Sequence, residues 1–136
     1  MTTKLKVYFA GAWKDRADIA NKAKLLEKDF DVISTWATRE FTIIERTQEE
    51  DAGHAKIDVN EVKAADFLLA DMTDSNYAYR GTFTEIGVAL GQDKPVYIIC
   101  PHQKSYAKTN VFFHHPSIVV FYTFEEALMY LPTQKM

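Results

Sequence analysis

Five short apolar runs alternate along this chain with stretches of helical spacing, and that alternation is the strongest constraint on its fold. The runs are residues 5–10 (LKVYFA), 31–35 (DVIST), 66–70 (DFLLA), 95–100 (PVYIIC) and 117–122 (SIVVFY). DFLLA is the most telling, because no polar side chain follows its first residue. A strand with one wet face alternates polar and apolar residues. A strand without that alternation is covered on both faces, as at the centre of a parallel sheet. Between the runs, residues 15–28 carry Ile19, Ala20, Ala23, Leu25 and Leu26 at helical spacing, and residues 49–65 offer Ala55, Ile57, Val59 and Val62 for burial. Residues 82–91 read as a short helix and 124–131 as a closing one.

This pattern predicts an α/β layered fold of the flavodoxin-like or Rossmann-like kind, a five-stranded parallel sheet with helices on both faces. The 136 residues suit one domain, 1–136, with one core. Ligands of such sheets bind beyond the carboxyl ends of the strands. The loops that matter are therefore 11–16, 36–50, 71–84 and 101–116. Phe41, Ile43 and Ile44, apolar among polar neighbours, are expected to wall a pocket or meet a second copy.

Charge and cysteine usage exclude several classes. A net charge of −3 argues against a broad basic face for a nucleic acid polymer. The single cysteine, Cys100, excludes an internal disulfide framework and reads as a small buried hydrophobe. No run approaches the ~18 apolar residues of a membrane span, and the opening MTTKLKVYFAG reads as a strand, so a cytoplasmic, soluble domain is expected. No GxGxxG follows the first strand and no GxxxxGK[ST] occurs, which leaves dinucleotide and P-loop readings unsupported. His114 and His115 lack a partner at ligand spacing, so no metal and no cofactor are expected.

Glu85, in YRGTFTEIGVALG, carries two readings. Thr82-Phe83-Thr84-Glu85 fits a capping box, with Thr82 at the N-cap and Glu85 reaching back to it. Alternatively, the helix N-terminus keeps Glu85 ionised and ready to act as a nucleophile at the end of the central strand. The loop before it supplies Asp71, Asp74, Asn76, Tyr77 and Tyr79 for hydrogen bonding to a substrate.

The stretch Arg80-Gly-Thr-Phe-Thr-Glu-Ile-Gly-Val-Ala-Leu-Gly, with Lys94-Pro-Val after it, resembles the core motif of the nucleoside 2-deoxyribosyltransferase family. So do Tyr8-Phe9 with Trp13 and Asp15-Arg16, Asp58 one helix ahead of the central strand, and Asn110 in Asn110-Val-Phe. The resemblance spans about residues 6–121. Two departures stand out: Tyr79 occupies the place of a family aspartate, and the C-terminus does not end in tyrosine. The resemblance implies exchange of the base on a 2′-deoxynucleoside with a free nucleobase, through a covalent deoxyribosyl-glutamate. It makes Glu85 the nucleophile, Tyr8 the residue that positions it, and Asp58 the group that hydrogen-bonds or protonates the leaving base. Trp13, Asp71, Asp74 and Gly81 would contact substrate, and Asn110 would bind a sugar hydroxyl in a neighbouring subunit of a homodimer or larger oligomer. The related 2′-deoxynucleoside 5′-phosphate N-hydrolases share fold and glutamate but use water. For their phosphate this chain offers Lys14, Arg16, Ser75 and Arg80. A non-catalytic nucleotide-binding domain is the third reading.

Overall fold

The computed structural model describes residues 3–40 and 46–136, so Phe41, Ile43 and Ile44 lie outside the described residues. Strands β1 (Lys6–Ala10), β2 (Asp31–Val32), β3 (Phe67–Asp71), β4 (Val96–Ile99) and β5 (Ile118–Phe121) form one sheet in the order β2-β1-β3-β4-β5, every pair parallel. Helices α1 (Arg16–Leu26), α2 (Gln48–Ala64) and α3 (Arg80–Gly91) fill the first three connections, and α4 (Phe124–Tyr130) follows β5. Between β4 and β5, two 3-10 turns, Tyr106–Thr109 and Val111–His114, replace a helix. The five-stranded parallel α/β architecture expected from the sequence is the one observed. Among the described residues, no helix is long and apolar enough to cross a membrane.

The strand order decides which face each helix covers. The chain leaves β1 toward the edge strand β2, then crosses back over β1 to β3 and on to β4. Right-handed crossovers in opposite directions put α1 on one face and α2 with α3 on the other. The side chains of β1 record the division. Phe9 stacks on Phe124 of α4 with ring centroids 6.0 Å apart, and Lys22 of α1 lies 5.6 Å from the same ring. Tyr8, one residue earlier, points the opposite way, as the pleat requires, and its hydroxyl reaches α3.

All five residues of β3 are buried. Burying side chains such as Phe67, Leu68 and Leu69 stabilises the fold by about 1.5–3 kcal/mol each. The edge strand is shorter than expected from DVIST. The Ile33 N–H still donates to the Val7 carbonyl at 3.0 Å, and beyond it a side chain takes over the ladder: the Phe9 N–H donates to Ser34 Oγ at 2.9 Å. The indole N–H of Trp36 then donates to the Phe9 carbonyl at 2.8 Å, and the chain turns away.

Candidate functional site

Helix α3 begins at Arg80, two residues before the expected Thr82, because Tyr79 is its N-cap. Tyr79 sits in the left-handed region, at φ 54° and ψ 41°, a conformation that few residues with a side chain adopt. It is held there by burial, by its hydroxyl accepting the Asp74 N–H at 2.9 Å, and by an edge-on contact with Tyr77 at 4.8 Å. Thr82 is therefore an interior helix residue, and its hydroxyl donates to the Gly11 carbonyl at 3.2 Å. The capping-box reading of Thr82 and Glu85 is corrected by this geometry. So is the expectation that the helix end keeps Glu85 ionised, because Glu85 lies more than a turn inside α3, where the dipole has faded. The same four-residue pattern does cap α2, where Thr47 Oγ1 accepts from the Glu50 N–H at 3.0 Å and Glu50 bonds back.

Glu85 instead meets Tyr8. The fully buried Tyr8 hydroxyl donates to Glu85 Oε2. Burial pushes the Glu85 carboxyl up from an ordinary 4.5 to about 8. The Tyr8 hydrogen bond opposes that rise, as does the charge of Arg39, while Asp58 and Glu61 add to it. Burial, followed by the charge of Glu85, also holds Tyr8 far above its ordinary range, so it remains a phenol and a donor.

Glu85 opens onto a cavity of about 500 Å³ beyond the carboxyl end of the sheet. Gly11, Ala12 and Trp13 line it from the end of β1, and Trp36 and Arg39 from the stretch after β2. Helix α2 contributes His54 and Asp58, the loop after β3 contributes Tyr77 and Tyr79, and α3 contributes Gly81, Thr82, Thr84 and Glu85. Such a volume suits a drug-sized or nucleoside-sized ligand. A Cβ on Gly81 would meet nothing within 4 Å, whereas one on Gly11 would stand 2.8 Å from Ile19 Cδ1. Gly11 therefore allows α1 to pack close beneath the loop.

Of the residues singled out in the sequence, Glu85, Asp58, Trp13, Gly81, Tyr77 and Tyr79 line the cavity, and Tyr8 is bonded to Glu85. Asp58 is not alone there, since Arg39 donates to its Oδ1 at 2.8 Å. Arg16 lies over the Trp13 ring at 4.5 Å. Asp71 and Asp74 stand elsewhere. Asp71 is buried against Lys22 of α1 at 2.6 Å, and Asp74 pairs with Lys14 at 2.9 Å. Both border a smaller cavity of about 160 Å³ on the α1 side. Asn110 N-caps the turn Val111–His114 by accepting the Phe112 N–H at 2.9 Å, outside the large cavity. Among the described residues, no group of three or more His, Cys, Asp or Glu is placed to hold a metal ion.

Arg39, His54 and Trp36 are cavity residues that the sequence did not single out. Arg39 stands nineteen positions before Asp58 in a polar, irregular stretch. No helical or strand period links the two, so the spacing carried no signal that would have found Arg39.

The sequence profile of the family described as Nucleoside 2-deoxyribosyltransferase matches residues 7–128. Among solved structures, the 2-deoxyribosyltransferase of Bacillus psychrosaccharolyticus superposes with a TM-score of 0.73 at 20% identity, over 92% of this chain and 91% of that one. A conserved protein from Enterococcus faecalis V583 gives 0.63 at 20% identity, over 93% and 96%. The CMP N-glycosidase of Clostridium botulinum gives 0.58 at 19% identity, over 93% and 97%. These structures share the fold. No curated protein sequence matches the chain significantly.

Proposed function

Because the chain belongs to the nucleoside 2-deoxyribosyltransferase family, we propose that it exchanges the base of a 2′-deoxynucleoside, with Glu85 as the nucleophile. The observation that carries this reading is the Tyr8–Glu85 pair, a carboxyl fixed by a buried phenol and facing a nucleoside-sized cavity. The C1′–N bond breaks with its electron pair leaving on the base, and positive charge grows at C1′. The Glu85 carboxylate stabilises that charge and bonds to C1′, giving a glycosyl ester. A nitrogen of the second base then attacks C1′ and displaces the carboxylate, and the proton it loses passes by way of Asp58 to replace the one taken up by the departed base. Two inversions give net retention, the logic of a retaining glycosidase with a base in place of water.

Each neighbour has a part in this scheme. Tyr8 keeps one carboxylate oxygen occupied and the other aimed at the sugar. Its hydrogen bond favours formation of the anion, and the desolvated setting makes that anion a stronger nucleophile once formed. Asp58, steadied by Arg39, hydrogen-bonds the leaving base. Trp13 offers an aromatic face to that base, and Gly81 leaves room for the sugar. Asp71 and Asp74 are taken up by Lys22 and Lys14, and Asp74 holds the loop that places Tyr79. Asn110, beside the exposed Val111 and Phe112, would enter the cavity of a second copy in a homodimer or larger oligomer.

Hydrolysis of a 2′-deoxynucleoside 5′-phosphate is the nearest alternative. Its phosphate would need cations, and two of those on offer have other contacts: Lys14 bonds Asp74 and Asp15, and Arg16 covers Trp13. The test incubates the protein with 2′-deoxyuridine and adenine, and separately with deoxynucleoside 5′-phosphates alone. Acceptor-dependent formation of 2′-deoxyadenosine is the expected result. Base release without an acceptor product would make it a hydrolase. Intact substrates throughout would leave a binding domain and end the catalytic reading.

A further inference from the structure

Asp58 and Glu61 stand three residues apart on α2 and so share one side of it. The Arg39 guanidinium reaches both carboxyls, at 2.8 Å from Asp58 Oδ1 and 3.7 Å from Glu61 Oε1, and its side chain is only 16% exposed. It also donates to Thr35 Oγ1 at 2.9 Å and lies 3.1 Å from His54 Nδ1. A guanidinium has donors and no acceptor, so His54 Nδ1 is the acceptor in this contact.

The charges that surround Glu85 follow from these contacts. From β1 comes the Tyr8 phenol. From α2 come His54, the Asp58 carboxyl and, at the cavity wall, Asp51, which is paired with Arg46; the Glu61 carboxyl shares Arg39 with Asp58. From the loop after β3 come the phenol rings of Tyr77 and Tyr79. Arg39 is the one cation among the described residues that line the cavity. With Asp51 taken up by Arg46, the carboxyls of Asp58 and Glu61 are the α2 charges set against Glu85, and the Arg39 guanidinium stands between them.

Resting on the reading of Glu85 as nucleophile, we infer that Arg39 is its positioning residue: by pairing with Asp58 and Glu61, Arg39 cancels the negative field that α2 would otherwise set against the Glu85 carboxylate. Arg39 acts without touching Glu85. Its effect is electrostatic and is strong because the pair is largely removed from solvent, where screening is weak. The opposed influences of Arg39 and of Asp58 with Glu61 on the Glu85 carboxyl have the signs this requires. Two like charges beside an ionising carboxyl disfavour the anion, and an opposite charge favours it.

The experiment compares Arg39→Gln, Arg39→Lys, Glu61→Gln and the Arg39→Gln/Glu61→Gln double variant with the wild type. Two readouts are taken: the pH profile of kcat/KM for base release, and the carbon-13 titration of the Glu85 carboxyl, assigned through Glu85→Gln. Arg39→Gln should move the Glu85 midpoint up by about one pH unit, which is about tenfold in rate on the acid limb and little above it. Glu61→Gln should move it down, and in the double variant should bring it back toward the wild type. Arg39→Lys should keep most of the wild-type midpoint. A uniform loss across pH with an unmoved midpoint in Arg39→Gln would overturn the inference, leaving Arg39 a structural residue. If Arg39→Gln does not fold, an unmoved midpoint in Glu61→Gln overturns it equally. Should the wild type fail to cleave any deoxynucleoside, the proposed function fails, while the carbon-13 midpoints still decide the role of Arg39.

Discussion

Replacing Glu85 by glutamine should destroy activity and at the same time stabilise the protein, increasingly so as pH rises. Glutamine keeps the shape and can still accept the Tyr8 hydroxyl, but it cannot ionise. In the wild type, burial raises the carboxyl from 4.5 to about 8. At about 1.36 kcal/mol per pH unit, ionising it inside the fold costs about 5 kcal/mol more than ionising it in the unfolded chain. The sign follows from proton binding. Between those two values the native state holds more protons than the unfolded state, so stability falls as pH rises through the window. Part of the carboxyl faces the cavity and its water, which trims the figure. The stability advantage of Glu85→Gln over wild type should therefore grow by about 3 kcal/mol between pH 5 and pH 8, on the order of 10 °C in melting temperature for a domain of this size. Urea unfolding of both proteins at several pH values measures it. Turnover should fall by several orders of magnitude, because an amide neither bonds to C1′ nor balances its charge. A variant with near wild-type turnover would end the nucleophile reading. An advantage that does not change with pH would refute the buried carboxyl.

Tyr8→Phe removes the hydrogen bond that opposes the rise in Glu85, so the acid limb of the pH profile should shift upward by about one to two pH units; an unshifted limb would separate Tyr8 from the nucleophile. Thr47→Ala should lower stability by about 1 kcal/mol through loss of the α2 cap, measured by denaturant unfolding and with no change in the pH profile. Sedimentation should find a dimer or larger species, and Phe112→Glu, at an exposed apolar position, should weaken it along with activity; a fully active wild-type monomer would dispose of the shared site.

The layered fold was legible in the chain because periodicity is a local property. DFLLA lacks alternation, so it had to be covered on both faces, and five such runs separated by helical spacing admit few topologies other than the one observed. Glu85 was legible as a candidate through its motif and its place after the central strand. Its role as a cap was legible too, and wrong. Thr47–Glu50 and Thr82–Glu85 share the same four-residue pattern, yet only the first caps a helix. The difference is Tyr79, whose left-handed backbone starts α3 early and is sustained by burial and by Asp74 from elsewhere in the loop. The partners of Glu85 were less evenly legible. Tyr8, 77 positions away, was named only through the family resemblance, and Arg39, which reaches Asp58 across 19 positions with no common period, was not named at all. Sequence patterns report which face of an element is apolar. Which carboxyl is desolvated, and which cation stands near it, depends on how β1, α2 and α3 pack together, because burial and Coulomb interaction act through space and not along the chain.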